Sequence, residues 1–289
     1  MPEPLLPRID RTVARAVEAG ALQPIRTERA VIRDAGIDFG VRWVSSLAHK
    51  DAARVQAAGR RTPDFNPFLP PEPALTVGPL GSAHLAVLNK YPVIARHLLI
   101  VTRAYEAQTA PLSPADFAAL AQVMGALGGL GFYNGGTEGG ASQHHKHLQW
   151  IPESAEGASL RAFTAALPAD LPAERATSNP ALPWRHVFVR LRAPSAASPE
   201  TAGAALQRAF HVACDALGIA AAADPMPAYN LLVWGDWLAV IPRRCEHSGG
   251  ISVNALGFAG SLFVRRPELI ETVRASGPLR LLAAVAFAR

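Results

Sequence analysis

Residues 139–150 read GGASQHHKHLQW. We interpret this stretch as a glycine-rich turn followed by a β-strand from His144 to Ile151. Because successive side chains of a strand point to opposite faces, the three polar side chains of the pattern H-x-H-x-Q should share one face and line a groove. These side chains are His145, His147 and Gln149. The opposite face should carry His144, Lys146 and Leu148.

This pattern is compatible with two chemistries, metal binding and nucleophilic catalysis. Two histidines at i and i+2 can both reach one zinc ion. Gln149, however, is a poor zinc ligand, and no cysteine lies nearby in sequence to complete a tetrahedron. The pattern therefore favours a neutral imidazole that attacks phosphorus, while the glutamine amide and backbone N–H groups of the turn bind phosphate oxygens. We expect no metal site.

The remaining segments predict an antiparallel sheet with helices. Strands are predicted at His84–Asn89, Arg96–Thr102, Trp184–Leu191 and in a hairpin, Tyr229–Trp234 with Trp237–Ile241, that turns at Gly235-Asp236. Helices are predicted at Pro7–Ala19, Ser113–Leu127, Ala202–Leu217 and over the C-terminal end. The proline-rich segment Thr62–Gly81 is predicted as an ordered loop. This order of elements indicates an α+β layer structure with the helices on one side of the sheet.

Composition excludes several classes of protein. The 289 residues are 49% hydrophobic, enough for one large domain or two closely packed ones. The longest apolar runs fall short of the roughly 20 residues that span a bilayer, and the first ten residues do not resemble a secretory signal. Cys214 and Cys245 are far apart in sequence, so no disulfide framework is expected. These features predict a soluble, cytoplasmic protein that does not bind membranes.

The basic residues carry a more specific clue. The formal charge of +5 is spread along the chain without a basic run, so nucleic-acid binding is not expected. Of the 28 basic residues only Lys50, Lys90 and Lys146 are lysines. A chain that otherwise uses arginine should keep lysine where a compact ammonium matters, for example against a phosphate.

Several motifs together resemble the diadenosine tetraphosphate (Ap4A) phosphorylases, also called ATP adenylyltransferases, of the histidine-triad (HIT) superfamily. This branch is marked by H-x-H-x-Q in place of three histidines. The motifs are FGVRWVSSLAHK (39–50), NKYPVIARHLLIVTR (89–103), GASQHHKHLQ (140–149), YNLLVWGDWLAVIPR (229–243) and ISVNALGFAGSLFV (251–264). The resemblance extends from about residue 39 to the end of the chain and is weakest in Pro152–Pro183.

The resemblance implies an α+β, HIT-like fold with a predominantly antiparallel sheet and flanking helices. It implies one adenylyltransferase domain over residues 1–289. Within it we expect an N-terminal helical extension (1–38), the nucleotide and catalytic motifs (39–151), a connector (152–183) and a C-terminal part that completes the site (184–289).

The resemblance also assigns roles to individual residues. His147 would be the nucleophile, Gln149 would bind the phosphate that becomes attached to it, His145 would orient the site, and His97 would support the nucleophile from a neighbouring strand. Contacts to nucleotide or phosphate are implied for Lys50, Asn89, Lys90, Asn134, Gly140, Ala141, Ser142, Gln143, Gln149, Asn230 and Arg243. His144 is interpreted as a tuning or structural residue.

The implied reaction is the phosphorolysis of Ap4A to ADP and ATP through a covalent AMP–histidine intermediate. The expected partners are adenosine nucleotides (Ap4A, ATP, ADP and AMP) and phosphate or sulfate, bound by a monomer or a homodimer. No tightly bound cofactor is expected, and Mg²⁺ would accompany the polyphosphate. Alternatives are an adenylyltransferase acting on ADP and sulfate or on adenylyl sulfate, a hexose-1-phosphate uridylyltransferase, and a nucleotide sensor without catalysis.

Overall fold

The computed structural model describes residues 3–44, 65–153, 158–192 and 197–289. Six helices lie in these ranges: α1 Leu5–Glu18, α2 Pro114–Leu127, α3 Arg161–Thr164, α4 Pro199–Leu217, α5 Leu269–Ser276 and α6 Pro278–Val285. The strands are β1 Thr27–Asp34, β2 Ile37–Val44, β3 Thr76–Leu80, β4 His84–Leu88, β5 Leu98–Thr102, β6 Leu130–Gly135, β7 His147–Ile151, β8 Ala176–Thr177, β9 Val187–Arg190, β10 Tyr229–Trp234, β11 Trp237–Pro242, β12 His247–Ser248, β13 Ile251–Ser252 and β14 Ser261–Val264.

Nine of these strands form one sheet in the order β3-β4-β5-β7-β6-β10-β11-β9-β8. Every neighbouring pair in it is antiparallel. The predicted fold class, α+β with a predominantly antiparallel sheet and flanking helices, is confirmed. The predicted strands β4, β5 and β7 lie side by side, so residues distant in sequence meet on one surface.

The sheet contains two similar halves that meet where β6 pairs with β10. One half runs β5-α2-β6-β7 and the other β9-α4-β10-β11, each a strand, a long helix and two antiparallel strands. In the second half the last two strands are joined by the tight turn Gly235-Asp236. In the first half, residues 136–146 separate them. This long connection contains the glycine-rich turn and leads into His147.

Local signals explain the two long helices. Helix α2 begins with a capping box, in which the Ser113 hydroxyl accepts from the Asp116 N–H and the Asp116 carboxylate accepts from the Ser113 N–H. Helix α4 begins after Ser198 with a proline in its first turn and ends at Gly218. The two helices cross closely at Gly203, where a Cβ atom would lie 2.6 Å from the backbone of Ala118. A glycine is therefore required there.

The two faces of the sheet contribute to different hydrophobic cores. On one face, α1, α2 and α4 pack over residues such as Leu148 and Trp150 of β7. On the other face, Ile151 and Phe132 pack with a small sheet of order β1-β2-β14 and with α5 and α6. The expectation of helices on only one side was therefore wrong. The second layer forms because β2 pairs in parallel with β14, about 220 residues later in the chain, a contact that has no local signature.

Several element boundaries differ from expectation, and two of them bear on the site and on the edge of the large sheet. The strand predicted from His144 begins at His147, because His145 makes only an isolated bridge to Ala107. Within the described part of the segment predicted as a loop, β3 forms the edge of the large sheet. Proline at position 79 is compatible with an edge strand, which has neighbours on one side only.

Within the described ranges, no helix is both long enough and apolar enough to cross a membrane. The cytoplasmic location stays a prediction.

Candidate active site

His147, the first residue of β7, is buried with 4% of its surface exposed. Its Nδ1 lies 2.8 Å from the backbone oxygen of His145. Because a carbonyl oxygen can only accept, Nδ1 carries the proton and donates, and Nε2 keeps a free lone pair. Burial lowers the pKa of His147 from 6.5 to about 4. The ring is therefore a neutral imidazole at physiological pH, with its nucleophilic nitrogen unprotonated.

The backbone of His147 is held by a residue that the sequence motifs do not include, the buried Gln108. Its Oε1 accepts from the His147 N–H at 2.9 Å, and its Nε2 donates to the backbone oxygen of Asn134 at 2.8 Å. The side chain thus bridges β6 and β7 where the two strands part. An isolated glutamine on a connecting segment gives no sequence signal for this role.

Gln149 is oriented by a chain of hydrogen bonds that starts from a backbone donor. The Tyr91 N–H donates to Asn89 Oδ1 at 3.1 Å, so the Asn89 amide nitrogen faces His97 Nδ1, 3.1 Å away. His97 must then carry its proton on Nε2, which donates to Gln149 Oε1 at 2.9 Å. The Gln149 amide nitrogen is left as a donor for a ligand. These hydrogen bonds require a neutral His97 ring. The side chain is half-buried, and desolvation lowers the pKa of His97 to about 4.

This arrangement specifies the role expected of His97. Its hydrogen bond is to Gln149, so His97 orients the Gln149 amide. Support of the nucleophile by His97 stays a prediction. Asn89 likewise contacts His97, although it also lines a cleft described below.

His145 is held by the same kind of arrangement on the other side of His147. The Phe68 N–H donates to Asn66 Oδ1 at 2.9 Å, and the Asn66 amide nitrogen donates to His145 Nδ1 at 2.9 Å. His145 Nε2 donates to the backbone oxygen of Thr102 at 2.9 Å. The ring is thus fixed in one tautomer. The backbone carbonyl of His145 accepts the hydrogen bond from His147 Nδ1. The orienting role expected of His145 stays a prediction.

A buried cluster of Asn134, Asn230 and Arg243 anchors the glycine-rich turn. Asn230 Nδ2 donates to Asn134 Oδ1 at 2.9 Å and to the backbone oxygen of Gly139 at 2.7 Å, and its Oδ1 accepts from Arg243 at 2.6 Å. Asn134 Oδ1 also accepts from the Ala255 N–H at 2.9 Å. The cluster therefore ties the ends of β6 and β10 to the turn and to the segment before β14.

Arg243 uses its donors within the protein. Besides Asn230 and Gly139, its guanidinium donates to the backbone oxygens of Val285, Cys245 and Val253. With 3% of its surface exposed, the side chain is a structural anchor, and the pKa of Arg243 is lowered to about 10 by burial. Its direct contact with a nucleotide stays a prediction that these hydrogen bonds do not favour.

The turn itself is shaped by glycine. Gly140 has φ +89°, and a Cβ atom there would lie 2.8 Å from Val253 O and from the Cα of Asn254. The N–H groups of Gly140 and Ala141 close the turn by donating to Thr137 and Gly136. Further along, Ser142 and His144 are exposed and Gln143 is half-buried. Phosphate binding by the turn would therefore fall to its second half, from Ser142 onward.

The three lysines do not share one environment. Lys50 lies outside the described residues. Lys90, 27% exposed, forms an ion pair with Glu72 at 2.7 Å. Lys146 points to the opposite side of the chain from His147, as its strand position predicted, and is buried against Glu106 at 2.6 Å, Asp116 at 3.3 Å and the Pro111 carbonyl. Lys146 is thus a structural lysine.

A cleft of about 320 Å³ opens beside this hydrogen-bonded chain. Asn89, Tyr91 and His97 line one wall, while Arg42, residues 250–254, residues 256–257 and residues 261–265 contribute to the others. Its size suits a small ligand, and its wall includes His97, the hydrogen-bond partner of Gln149. Another cavity, of about 350 Å³, is lined by parts of β8, β9 and α4 and by Arg289. Its walls do not include His97, His145 or His147.

Among the described residues, no three His, Cys, Asp or Glu side chains are grouped so that they could hold a metal ion. The expectation of no metal site and no tightly bound cofactor stays a prediction.

Two family models match the chain. Residues 1–166 match the model described as the Ap4A phosphorylase N-terminal domain, and residues 180–288 match the model described as the ATP adenylyltransferase C-terminal domain. The first match alone covers more than half of the chain. The division into segments made from the sequence stays a prediction.

Two proteins of Saccharomyces cerevisiae are similar over most of their length. Protein APA1 is 27% identical over 288 residues, which cover 89% of this chain and 86% of APA1. Diadenosine 5',5'''-P1,P4-tetraphosphate phosphorylase 2 is 26% identical over 300 residues, which cover 91% of this chain and 88% of the relative.

Solved structures of yeast Ap4A phosphorylase Apa2 share the fold. One superimposes with a TM-score of 0.80 at 22% identity, and its complex with Ap4A with a TM-score of 0.75 at 24% identity. Both matches cover 100% of this chain and 99% of the yeast chain.

Proposed function

Because the chain belongs to the family of Ap4A phosphorylases and ATP adenylyltransferases, it is a nucleotidyltransferase, and we propose that it phosphorolyses Ap4A through an adenylyl group carried on His147. The observation that carries the proposal is the hydrogen bond from His147 Nδ1 to the His145 carbonyl, which leaves Nε2 as the free nucleophile.

In the first half-reaction, His147 Nε2 attacks the α-phosphorus of Ap4A. The bond from that phosphorus to the bridging oxygen breaks, ATP leaves with the electron pair, and AMP remains joined to Nε2. The imidazole becomes positively charged as the new bond forms. The His145 carbonyl, 2.8 Å from Nδ1, stabilises this charge because a hydrogen bond strengthens when its donor becomes cationic.

Gln149 is placed to hold the phosphate in both half-reactions. Its Oε1 is occupied by His97, so its amide nitrogen is the side that can donate to a phosphate oxygen. An amide whose orientation is already fixed needs no reorganisation when charge develops on that oxygen. We place the adenosine of the transferred AMP in the cleft lined by Asn89, Tyr91 and His97.

In the second half-reaction, an oxygen of inorganic phosphate attacks the same phosphorus. The bond to Nε2 breaks, its electron pair returns to the imidazole, and ADP leaves. Two displacements at one phosphorus allow ATP and phosphate to use the same position in turn. We propose phosphate as the acceptor and Mg²⁺ as an ion that accompanies the polyphosphate. In the proposed direct contacts, Lys50 and Lys90 would neutralise part of its charge, and Ser142 and Gln143 would donate hydrogen bonds to its oxygens.

The test is an assay of product formation from Ap4A with phosphate and, in a parallel arm, with sulfate. The parent protein should give ADP and ATP with phosphate. His147→Ala should abolish turnover but still bind Ap4A in calorimetry, because binding is spread over many contacts. His211→Ala, a change of an exposed histidine on α4, should keep full activity.

A covalent intermediate can be seen directly. Incubation with Ap4A and no acceptor should add one AMP to the protein, and peptide mass spectrometry should locate it on His147 as an acid-labile, base-stable adduct. Adenylylation of another residue, or full activity of His147→Ala, would overturn the covalent route. Products only in the sulfate arm would change the acceptor, and binding without turnover would indicate a nucleotide sensor.

A further inference from the structure

The segment Phe65–Pro71, here called the roof segment, lies against the nucleophile although it belongs to none of the sequence motifs. Phe68 is its buried member, 6% exposed, whereas Phe65 and Leu69 are each 44% exposed. The Phe68 ring centre lies 5.4 Å from that of His147 and 5.6 Å from that of His145. One apolar ring thus contacts both histidines of the H-x-H pair.

The roof segment is attached to the site by Asn66. Its Oδ1 accepts from the Phe68 N–H and its amide nitrogen donates to His145 Nδ1, both at 2.9 Å. The Phe68 backbone and the His145 ring are therefore joined through a single side chain. The position of Phe68 over His147 is part of the same hydrogen-bonded arrangement that orients His145.

We propose that Phe68, held by Asn66, keeps water from the adenylyl group on His147 and so directs it to phosphate. This inference rests on the proposed function. The competing reaction is hydrolysis: a water oxygen attacks the phosphorus, the bond to Nε2 breaks with its electron pair returning to the imidazole, and a proton passes to solvent. The product is AMP in place of ADP, and ATP from the first half-reaction is unchanged.

Physical chemistry supports a specificity role for an aromatic ring at this place. Water is present at a far higher concentration than phosphate, so a transferase must keep its intermediate dry. A phenyl ring offers no hydrogen bonds to ordered water, and its contact with His147 removes space that water would occupy. The same desolvation keeps the imidazole neutral and nucleophilic.

The experiment measures the ratio of AMP to ADP formed from Ap4A and phosphate by the full-length protein. Phe68→Ala should raise this ratio by about tenfold or more, and Asn66→Ala should raise it to a smaller extent because Phe68 is kept but less firmly held. Phe68→Leu, which keeps an apolar side chain, should restore most of the parent ratio. Leu69→Ala, a change of the exposed neighbour, should leave the ratio unchanged.

A second measurement follows the adenylylated protein, prepared without acceptor, as it decays in phosphate-free buffer. Its half-life should shorten in Phe68→Ala and Asn66→Ala. A merely structural loss would lower AMP and ADP together and leave their ratio constant. Thermal unfolding confirms that each variant is folded, and Asn66→Ala, which changes no core side chain, supplies the test if Phe68→Ala does not fold.

The outcomes separate the two hypotheses. If the parent protein forms ADP and the folded variants show the same ratio of AMP to ADP as the parent, the role of the roof segment is wrong but the proposed function stands. A parent protein that forms neither ADP nor an adenylylated histidine would overturn the proposed function, and this inference with it.

Discussion

His97 Nε2 donates to Gln149 Oε1 across 2.9 Å. His97 directly precedes β5, and Gln149 lies in β7, the strand that pairs with β5. The direction of this hydrogen bond is determined at a distance, by the Tyr91 N–H that fixes the Asn89 amide. The orientation of the Gln149 amide therefore depends on two side chains, Asn89 and His97. Substitution of Asn89 should alter catalysis although Asn89 is not placed at the reacting phosphorus.

Asn89→Asp reverses the polarity of this chain. A carboxylate can only accept, so His97 must place a proton on Nδ1, and at a pH where the ring is neutral Nε2 then accepts. Gln149 would turn its amide nitrogen toward His97 and its oxygen toward the phosphate. We expect kcat/KM to fall about 10- to 100-fold, as for the loss of a charge-assisted hydrogen bond. Asn89→Ala removes the anchor without reversing it and should be milder. Equal kcat/KM values for the two variants would contradict the proposal that the hydrogen bonds from Asn89 through His97 orient Gln149.

Two desolvated histidines, His97 and His147, predict a loss of stability in acid. His97 and His147 each have a pKa of about 4 in place of 6.5, because burial disfavours the imidazolium. Between these values the unfolded chain binds protons that the folded chain does not, so the free energy of unfolding should fall as pH drops from about 6.5 to 4, by up to about 3 kcal/mol for each histidine.

Urea unfolding at a series of pH values measures this dependence. His147→Asn should make the decline shallower, because one of the groups that gain protons on unfolding is gone. His211→Asn, on an exposed surface of α4, should decline as steeply as the parent. An identical decline in all three proteins would show that the desolvated histidines do not control it.

The buried lysine and the partly exposed lysine should differ in their effect on stability. Lys146→Met removes the lysine partner of the fully buried Asp116 and leaves it only its hydrogen bonds to His84 and Ser113. It should lower the free energy of unfolding by about 3–5 kcal/mol. Lys90→Met breaks an ion pair that is open to solvent and should cost less than about 1 kcal/mol. Lys146→Arg should also destabilise, by about 1–3 kcal/mol, because the larger side chain overfills the site.

Denaturant titration of the three lysine variants decides this point. A Lys146→Met protein as stable as the parent would rule out a structural role. A loss of turnover at full stability would instead restore Lys146 to the phosphate site.

Gly140→Ala tests how closely the turn must approach the cleft wall. The new Cβ would lie 2.8 Å from Val253 O and from Asn254, and alanine is strained at φ +89°. The turn or the wall must move, so we expect a loss of Ap4A affinity of at least about tenfold.

Gly235→Ala, at φ +56° in the hairpin turn with nothing within 4 Å, is the matched control. It should lower stability by about 1 kcal/mol through strain alone and leave affinity unchanged. Calorimetric titration of both variants compares them, and equal affinities would show that the turn tolerates displacement.

Much of the architecture could be predicted because its signals are local. The alternation in H-x-H-x-Q placed His147 and Gln149 together on one face and Lys146 on the other. The Ser113-Pro114 start of α2 and the Gly235-Asp236 hairpin were also read correctly, since a cap or a two-residue turn depends on residues within a few positions of one another.

The remaining features depend on contacts between distant segments. Asn66 and Phe68 act on histidines about 80 residues away, and Gln108 acts on a strand 39 residues away. No local pattern distinguishes these side chains from ordinary loop residues. For Arg243, resemblance pointed to a residue of the site but not to the five carbonyl and amide oxygens that take up its donors.

The sequence by itself therefore determined which side chains could do the chemistry and which face of a strand would carry them, because strand periodicity is a property of a single segment. Only the tertiary structure decided which nitrogen of each histidine bears the proton and which side of the Gln149 amide faces a ligand. Those choices follow from the hydrogen-bond partners. The Asn89 amide, itself oriented by the Tyr91 N–H, determines the proton position on His97, and the His145 carbonyl determines it on His147. These partners come together only after the chain has folded.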